Sequence, residues 1–231
     1  ALFPSEILKT DIYLLDLKLS STWVGSKHEF NNLDLFEFKI NQLQQQHPTK
    51  LIAAGYLEPR PIYTAATYDK KGNTGTESRT VHLGVDFWLP AQTPVLTLVD
   101  AEVVTAVHDT EHKQYGGLVI LKHKEDGLIF YTLYGHLSLA SATALTVGDI
   151  LKKGDKIGVL GNAKENGKLA THLHFQIMLT MLDYTIDFPG VAYPQQMQVW
   201  KSICPDPNLL FKNPKLVTEY DASISEIIAF R

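Results

Sequence analysis

The sequence contains a single cysteine, Cys204, among its 231 residues. One cysteine excludes an internal disulfide, so no disulfide framework can support this fold. Cys204 stands in the sequence Ile-Cys-Pro-Asp-Pro and has no obvious catalytic partner beside it. We therefore expect a structural thiol rather than a reactive one.

Long apolar runs are also missing from the sequence. No stretch approaches the ~20 residues that a membrane-spanning helix requires, so we expect no membrane span. Residues 1–6 lack an initiator methionine and the basic and long apolar regions of a signal peptide. We expect a processed mature form, a shortened chain or part of a larger protein, and the sequence leaves the compartment unknown.

The chain has no strong charge of either sign and no basic run. Its net charge is -4, with 20% charged and 45% hydrophobic residues. This balance argues against electrostatic binding of nucleic acid or of an anionic membrane, and it is typical of a soluble globular protein with a full core. The expected partner is a peptide or glycopeptide, and the oligomeric state cannot be predicted.

Three short apolar stretches carry polar side chains that bind metals well. Those side chains are His82 and Asp86, His136, and His172 and His174. Residues two or four apart on a strand share a face, so each of the two pairs is predicted to point to one side. Gly84, Val85 and the aromatic pair that follows Asp86 disfavour a helix at the first pair.

A lone histidine in an apolar strand is more often a hydrogen-bonded core residue than a metal ligand. The three stretches together favour a shared site, because imidazole nitrogen and carboxylate oxygen are ordinary zinc ligands. A catalytic zinc keeps three protein ligands and a water, so this set leaves histidines spare for proton transfer. We therefore predict a zinc hydrolase site.

These residues resemble the signature of the lysostaphin-type zinc metalloendopeptidases, which cut the peptide parts of bacterial peptidoglycan. That signature is His-x-x-x-Asp followed far downstream by His-x-His, here His82 with Asp86 and His172 with His174. The family's intermediate histidine, in a Tyr-x-His-Leu setting, matches His136.

The resemblance runs from about residue 79 to residue 176. It includes the Gly-Asp turns at Gly148 and Gly154. The sequence departs from the family pattern at Ala91-Gln92, before the Thr-Pro-Val turn, and at Ala170-Thr171, before the His-x-His. Because of these two departures, the resemblance does not predict which bond is cleaved.

The resemblance implies that His82, Asp86 and His174 bind zinc, and that His136 and His172 form an unligated catalytic pair. Zinc would lower the pKa of its bound water toward ~7, and one histidine would take the proton. We assign His172 as the base and His136 as the stabiliser of the oxyanion or leaving amine, although the roles could be exchanged. The family usually works in the periplasm or outside the cell.

The implied fold is mainly β, an antiparallel sheet-rich lysostaphin-like peptidase fold (a duplicated hybrid motif) with a small N-terminal α/β extension. We divide the chain into an N-terminal extension (1–60), a zinc peptidase-like domain (61–185) and a C-terminal extension (186–231). Strands are predicted near 12–17, 81–88, 95–98, 102–108, 117–123, 128–135, 156–160 and 172–180. Helices are predicted at 33–46, 196–202 and 217–231.

Other functional classes fit the sequence less well than a zinc hydrolase. Residues 148–158 are also similar to the hairpin turns of lipoyl- and biotin-carrier domains, but Lys156 lacks the residues that flank a modified lysine. A peptidase-like binding module normally shows losses at ligand positions, and here all of them are filled. The two ends of the chain resemble a peptidase-like domain fused between kinase-like and aminotransferase domains, which would keep the zinc chemistry and change the substrate.

For three other histidines and one arginine we predict structural rather than catalytic roles. His108 and His112 have helical ligand spacing, but we predict that they lie in a hairpin loop and bind no metal. His123 is predicted to be exposed at the end of a strand. Arg79 could orient a substrate carboxylate or the Asp86 side, or form a surface ion pair, and we favour the structural role.

Overall fold

The structure, a computed structural model, describes residues 1–5, 11–73, 75–109, 114–218 and 220–229. The strands are β1 Asp11–Leu14, β2 Lys50–Ala54, β3 Asp69–Gly72, β4 Gly75–Ser78, β5 Val81–His82, β6 Val85–Trp88, β7 Pro94–Leu96, β8 Ala101–Asp109, β9 Gly116–Glu125, β10 Leu128–Leu137, β11 Ile150–Leu151, β12 Lys156–Val159, β13 His172–Met178 and β14 Val191–Ala192. The helices are α1 Lys27–Asn31, α2 Leu33–Gln46, α3 Leu139–Ala144, α4 Met197–Ile203, α5 Asn208–Phe211 and α6 Ala222–Ala229.

An eight-stranded sheet organises these elements, in the order β1-β2-β6-β13-β10-β9-β8-β11. Neighbouring strands in it are antiparallel except β1 and β2, which are parallel. The described residues also form three two-stranded sheets, β12-β7, β14-β5 and β3-β4. The predicted strand-rich, antiparallel fold class is confirmed.

Strand β13 lies in the middle of the large sheet, between β6 and β10, and all seven of its residues are buried. Such burial on both faces explains its composition, His-Leu-His-Phe-Gln-Ile-Met, in which every second side chain is apolar. The apolar face, with Leu173 and Phe175, packs in the main core. The other face carries His172, His174 and Gln176, and it forms the floor of the site described below.

The N-terminal part of the chain adds two strands and a long helix to this sheet. The predicted helix at 33–46 is confirmed as α2, capped by the side chain of Asn32, which accepts a hydrogen bond from the Leu35 N–H at 3.0 Å. Strand β2 pairs with β6 and places Ala54 opposite Asp86. The division at residue 60 stays a prediction, but residues before it contact the strand that carries Asp86.

The predicted strand at 81–88 is wrong in one respect, because it is two short strands, β5 and β6, separated at Leu83 and Gly84. Here β5 leaves the large sheet and pairs with β14. A Cβ at Gly84 would lie 2.8 Å from the His174 ring and 2.6 Å from the Phe175 carbonyl oxygen. Glycine therefore allows the backbone to cross close over His174.

Two histidines differ from their sequence-based predictions. His123, predicted to be exposed, lies inside β9 and is only 1% exposed. Its ring can be buried because both nitrogens have hydrogen-bond partners, the Asp100 carbonyl at 3.0 Å and Thr132 Oγ1 at 2.6 Å. The loop prediction is wrong for His108, which lies in β8 with Nε2 2.9 Å from the Glu165 carbonyl. His112 lies outside the described residues.

The remaining predicted elements agree with the structure to within a few residues, although β1 ends at Leu14 and α6 begins only at Ala222. Among the described residues, no helix combines the length and apolar character needed to cross a bilayer. Cys204 is buried, as expected of a structural thiol. Burial raises the pKa of its thiol to about 12, so the unreactive thiol form dominates at neutral pH.

Candidate metal centre

Strand register brings the sequence-distant polar residues together. In the antiparallel pair of β6 and β13, Asp86 lies opposite His174 and Trp88 lies opposite His172. The short strand β5 then carries His82 over the same face, after the break at Gly84. Residues almost ninety positions apart in the chain thus share one small volume.

Three side-chain atoms converge there. His82 Nε2 lies 2.9 Å from His174 Nδ1, and Asp86 Oδ1 lies 3.2 Å from each of those nitrogens. All three residues are buried, with exposures of 1%, 4% and 2% for His82, His174 and Asp86. We call this set the acceptor triangle.

Hydrogen bonds outside the triangle fix which nitrogen of each ring is unprotonated. His82 Nδ1 lies 3.1 Å from the Gly55 carbonyl oxygen, to which it can only donate. His174 Nε2 donates to Gln176 Oε1 at 3.0 Å, because the Gln176 amide nitrogen is committed to the Pro189 carbonyl. Both rings therefore turn lone pairs toward each other and toward the carboxylate.

Three facing acceptors repel one another unless a cation or a proton lies between them. In a tetrahedral zinc site with bonds of about 2.0–2.1 Å, ligand atoms lie about 3.3 Å apart, close to the distances found here. His, His and Asp are also donor types that zinc accepts. The acceptor triangle therefore fits a zinc ion.

The charge states of the triangle suit metal binding. Burial, helped by the nearby Arg60 guanidinium, lowers the pKa of His82 to about 4, so this ring is neutral near pH 7. Burial alone would raise the pKa of Asp86, but His82 and Arg60 outweigh it and hold that pKa well below its usual range. Neutral imidazole and ionised carboxylate are the forms that bind metal.

A second pair of imidazoles stands beside the triangle. The rings of His136 and His172 lie 4.1 Å apart between centroids, and His172 also stacks on the Trp88 ring at 5.5 Å. His172 Nε2 is 4.0 Å from Asp86 Oδ1. We call His136 and His172 the imidazole pair.

A bulge in β10 aims His136 at the site. The pairing of β10 with β9 shifts register between Tyr134 and Leu137, and His136 has a φ of 65°, in the left-handed region. Its N–H donates to the Tyr115 carbonyl at 2.8 Å, outside the regular strand ladder. Such bulges re-aim a side chain at the cost of local backbone strain.

Both members of the imidazole pair are held in the same tautomer. His136 Nδ1 donates to the Asn166 carbonyl at 3.1 Å, and His172 Nδ1 donates to the Ala170 carbonyl at 2.7 Å. Each Nε2 therefore carries a lone pair when the ring is neutral. Burial lowers the pKa of both rings, and for His136 the neighbouring His172 lowers it further, so both are neutral at pH 7.

The triangle and the imidazole pair open into one cavity of about 190 Å³. Apolar side chains, among them Leu33, Phe36 and Ile62, also line this cavity. Arg79 also lines the cavity, donates to the Thr67 carbonyl at 2.7 Å and lies over the Tyr68 ring, and its role stays a prediction.

The structure brings together all five residues that the sequence singled out, and it adds three that sequence reasoning missed. Gln176 follows His174 by two on the same strand face, so the parity argument could have found it. Arg60 and Tyr115 carried no such signal, because their positions depend on the register of distant segments. Arg60 contacts Asp86, and the Tyr115 ring lies within 6 Å of the His136 and His174 rings.

Comparison with known proteins gives a consistent picture. Residues 80–184 match the model of peptidase family M23. An uncharacterised metalloprotease of Buchnera aphidicola is 30% identical over 107 residues, which are 46% of this chain and 26% of that protein. The peptidoglycan DD-endopeptidase ShyA of Vibrio cholerae is 32% identical over 99 residues, which are 42% of this chain and 20% of that protein.

Solved structures include the catalytic domain of lysostaphin from Staphylococcus simulans, with 27% identity, a TM-score of 0.35 and coverage of 53% of this chain and 80% of that one. A zinc-containing peptidase from Vibrio cholerae has 25% identity and a TM-score of 0.35, with coverage of 48% and 30%. The chain spans only about a quarter of the length of the curated relatives that it matches.

Proposed function

We propose that the chain, whose residues 80–184 match the model of peptidase family M23, acts as a zinc-dependent endopeptidase on peptide bonds of peptidoglycan cross-links or stem peptides. The observation that carries this proposal is the acceptor triangle of His82, Asp86 and His174 directly beside two neutral imidazoles. The triangle supplies the three protein ligands of a catalytic zinc site.

In this proposal the triangle holds the ion and the imidazole pair moves protons. Zinc, when bound, would polarise the scissile carbonyl and lower the pKa of a bound water toward ~7. His172 takes the proton of the attacking water on Nε2, since its Nδ1–H is committed to the Ala170 carbonyl. His136 stabilises the oxyanion or protonates the leaving amine.

The position of His172 beside the triangle supports its role as the base. Its Nε2 lies 4.0 Å from Asp86 Oδ1, which is one corner of the triangle. Neutrality at pH 7 supports the role, because a base must begin unprotonated. The stacked Trp88 ring holds the imidazole plane in place.

The substrate class rests on the family and on one relative named as a peptidoglycan DD-endopeptidase. Peptidoglycan lies outside the cytoplasmic membrane, so we propose a periplasmic or extracellular location for this activity.

The proposal is tested by hydrolysis of a peptide panel that contains glycyl and D-alanyl cross-link mimics, with His172→Ala as the control. Cleavage by the zinc-loaded protein that is lost in the variant supports a zinc endopeptidase and identifies the bond. Absence of cleavage with about one zinc bound per chain would contradict the cell-wall substrate and favour another peptide or a binding module.

A further inference from the structure

The two carboxylate oxygens of Asp86 have different neighbours. Oδ1 is the corner of the acceptor triangle, 3.2 Å from nitrogens of His82 and His174. Oδ2 points away from the triangle and accepts a hydrogen bond from Arg60 Nη1 at 2.6 Å. This short, charge-assisted bond leaves one oxygen for the triangle and commits the other to the guanidinium.

Arg60 is itself held from several sides. Its Nε donates to Glu58 Oε2 at 2.7 Å, and its Nη1 also lies 3.2 Å from the Tyr63 hydroxyl. The other oxygen of Glu58 accepts the Leu17 N–H at 2.8 Å. The side chains of Arg60, Glu58 and Asp86 are 2%, 1% and 3% exposed, so water does not compete for these bonds.

The backbone of Arg60 is equally fixed. Its N–H donates to the Thr80 carbonyl at 2.8 Å, and the preceding Pro59 forms a β-bridge with Val81. The backbone that carries the guanidinium is therefore anchored to the segment that leads into His82. Both Glu58 and Arg60 precede residues 80–184, so this contact lies outside the part of the chain that matches the family.

We propose that Arg60 is a positioning residue that reserves Asp86 Oδ2, so that Asp86 offers a bound zinc only Oδ1, and that Glu58 holds Arg60 in this position. The inference rests on the metal centre of the proposed function. A carboxylate can bind a metal through one oxygen or two, and a second oxygen would occupy the position that a catalytic zinc keeps open for water. Arginine suits the task because its planar fork engages two carboxylates at once.

The decisive test measures coordination rather than turnover. Arg60→Met alone would leave two buried carboxylates uncompensated and could unfold the chain, so the double variant Glu58→Met/Arg60→Met is measured beside it. Lys152→Met is the matched control, because Lys152 forms an exposed ion pair with Asp100 and is 70% exposed. Circular dichroism of each metal-free variant reports the fold.

Each full-length protein is loaded with zinc for X-ray absorption and with cobalt(II) for visible absorption. We expect wild type and Lys152→Met to show four-coordinate centres. The double variant gains an oxygen ligand, and its cobalt(II) visible band loses intensity as the tetrahedral geometry is lost. A role of Arg60 in folding alone would leave the coordination of the folded double variant unchanged.

The two proposals fail in distinguishable ways. If wild type binds zinc and cleaves peptides but the folded double variant keeps the wild-type spectrum, the role of Arg60 is wrong and the proposed function stands. If wild type binds zinc and the double variant shows the expected coordination change, but wild type cleaves no peptide, the positioning role stands and the proposed substrate is wrong. If wild type binds no zinc, both are overturned.

Discussion

The acceptor triangle and the imidazole pair are both built from buried histidines, yet their hydrogen-bond partners differ. The triangle's outward atoms contact the stretch after β2, through the Gly55 carbonyl and Arg60, and β13 itself, through Gln176. The imidazole pair is held by two backbone carbonyls of one loop, those of Asn166 and Ala170. The triangle is thus held by side chains and one carbonyl from two parts of the chain, and the pair by carbonyls of the loop that precedes β13.

These partners decide what each group can do. In the triangle, every outward donor is used, and three acceptors face one point. In the imidazole pair, Nδ1 of each ring is used, and each Nε2 can exchange a proton at the cavity. His82 Nδ1 bonds to a backbone carbonyl just as Nδ1 of each pair member does, so the convergence of three acceptors on one point is what separates a candidate ligand from a candidate base.

The largest expected effect breaks the triangle. Asp86→Ala removes one of the three proposed ligand atoms, so zinc affinity should fall by more than the ~10–100-fold typical of an outer partner. Peptide cleavage should be lost together with the metal. Zinc content after dialysis against a weak chelator measures the change, with circular dichroism as the check on folding. Retention of one zinc and of full activity would refute the assignment of Asp86.

The next effect breaks the imidazole pair and leaves the triangle intact. His172→Ala should retain zinc while turnover falls by about 10²–10⁴-fold, the usual contribution of a general base. Zinc content and steady-state kinetics are measured on the same preparation. His47→Ala is the control, since His47 lies at the end of α2, stacks on the Tyr13 ring and does not line the cavity. Loss of zinc from the His172 variant would erase the distinction between triangle and pair.

Much of this arrangement could be predicted from the sequence. The spacing of two between His172 and His174 fixes their common face, because strand side chains alternate. That prediction needs only local geometry, and it agrees with Leu173 and Phe175 in the core and with His172 and His174 at the cavity. The antiparallel, strand-rich fold follows similarly from short apolar runs between turn residues.

The rest depends on information that local pattern does not carry. Asp86 meets His174 because of the register of β6 on β13, and Arg60 reaches Asp86 from the segment that follows β2. The left-handed conformation of His136 is imposed by pairing around the bulge, not by its neighbours in sequence. His123 is buried because two partners from other segments satisfy its ring.

A smaller effect weakens one support of the triangle. Gln176→Leu keeps the side-chain volume but removes the acceptor of the His174 Nε2–H, so the ring loses its fixed tautomer. Zinc affinity should fall by about 10–100-fold, measured by competition with a chromogenic chelator. Gln196→Leu is the matched control, because Gln196 accepts from Trp200 Nε1 on the surface. Equal affinities in the two variants would show that Gln176 does not orient His174.

The smallest effect concerns a buried histidine outside both groups. Burial lowers the pKa of His123 despite the opposing hydrogen bond to the Asp100 carbonyl. Its contribution to stability is therefore present above the unfolded-state pKa of ~6.5 and is lost as the pH falls below that value. The metal-free protein should lose stability between pH 7 and pH 5, and His123→Gln should lose less.

Urea unfolding of metal-free wild type and His123→Gln at pH 7 and pH 5 measures this difference. One proton contributes at most about 1.4 kcal/mol per pH unit to the free energy of unfolding. His82, His136 and His172 also have lowered pKa values and add to the loss in both proteins, so only the difference between the two slopes reports His123. Parallel slopes would mean that His123 titrates alike in the folded and unfolded chains, and that its burial carries no penalty on protonation.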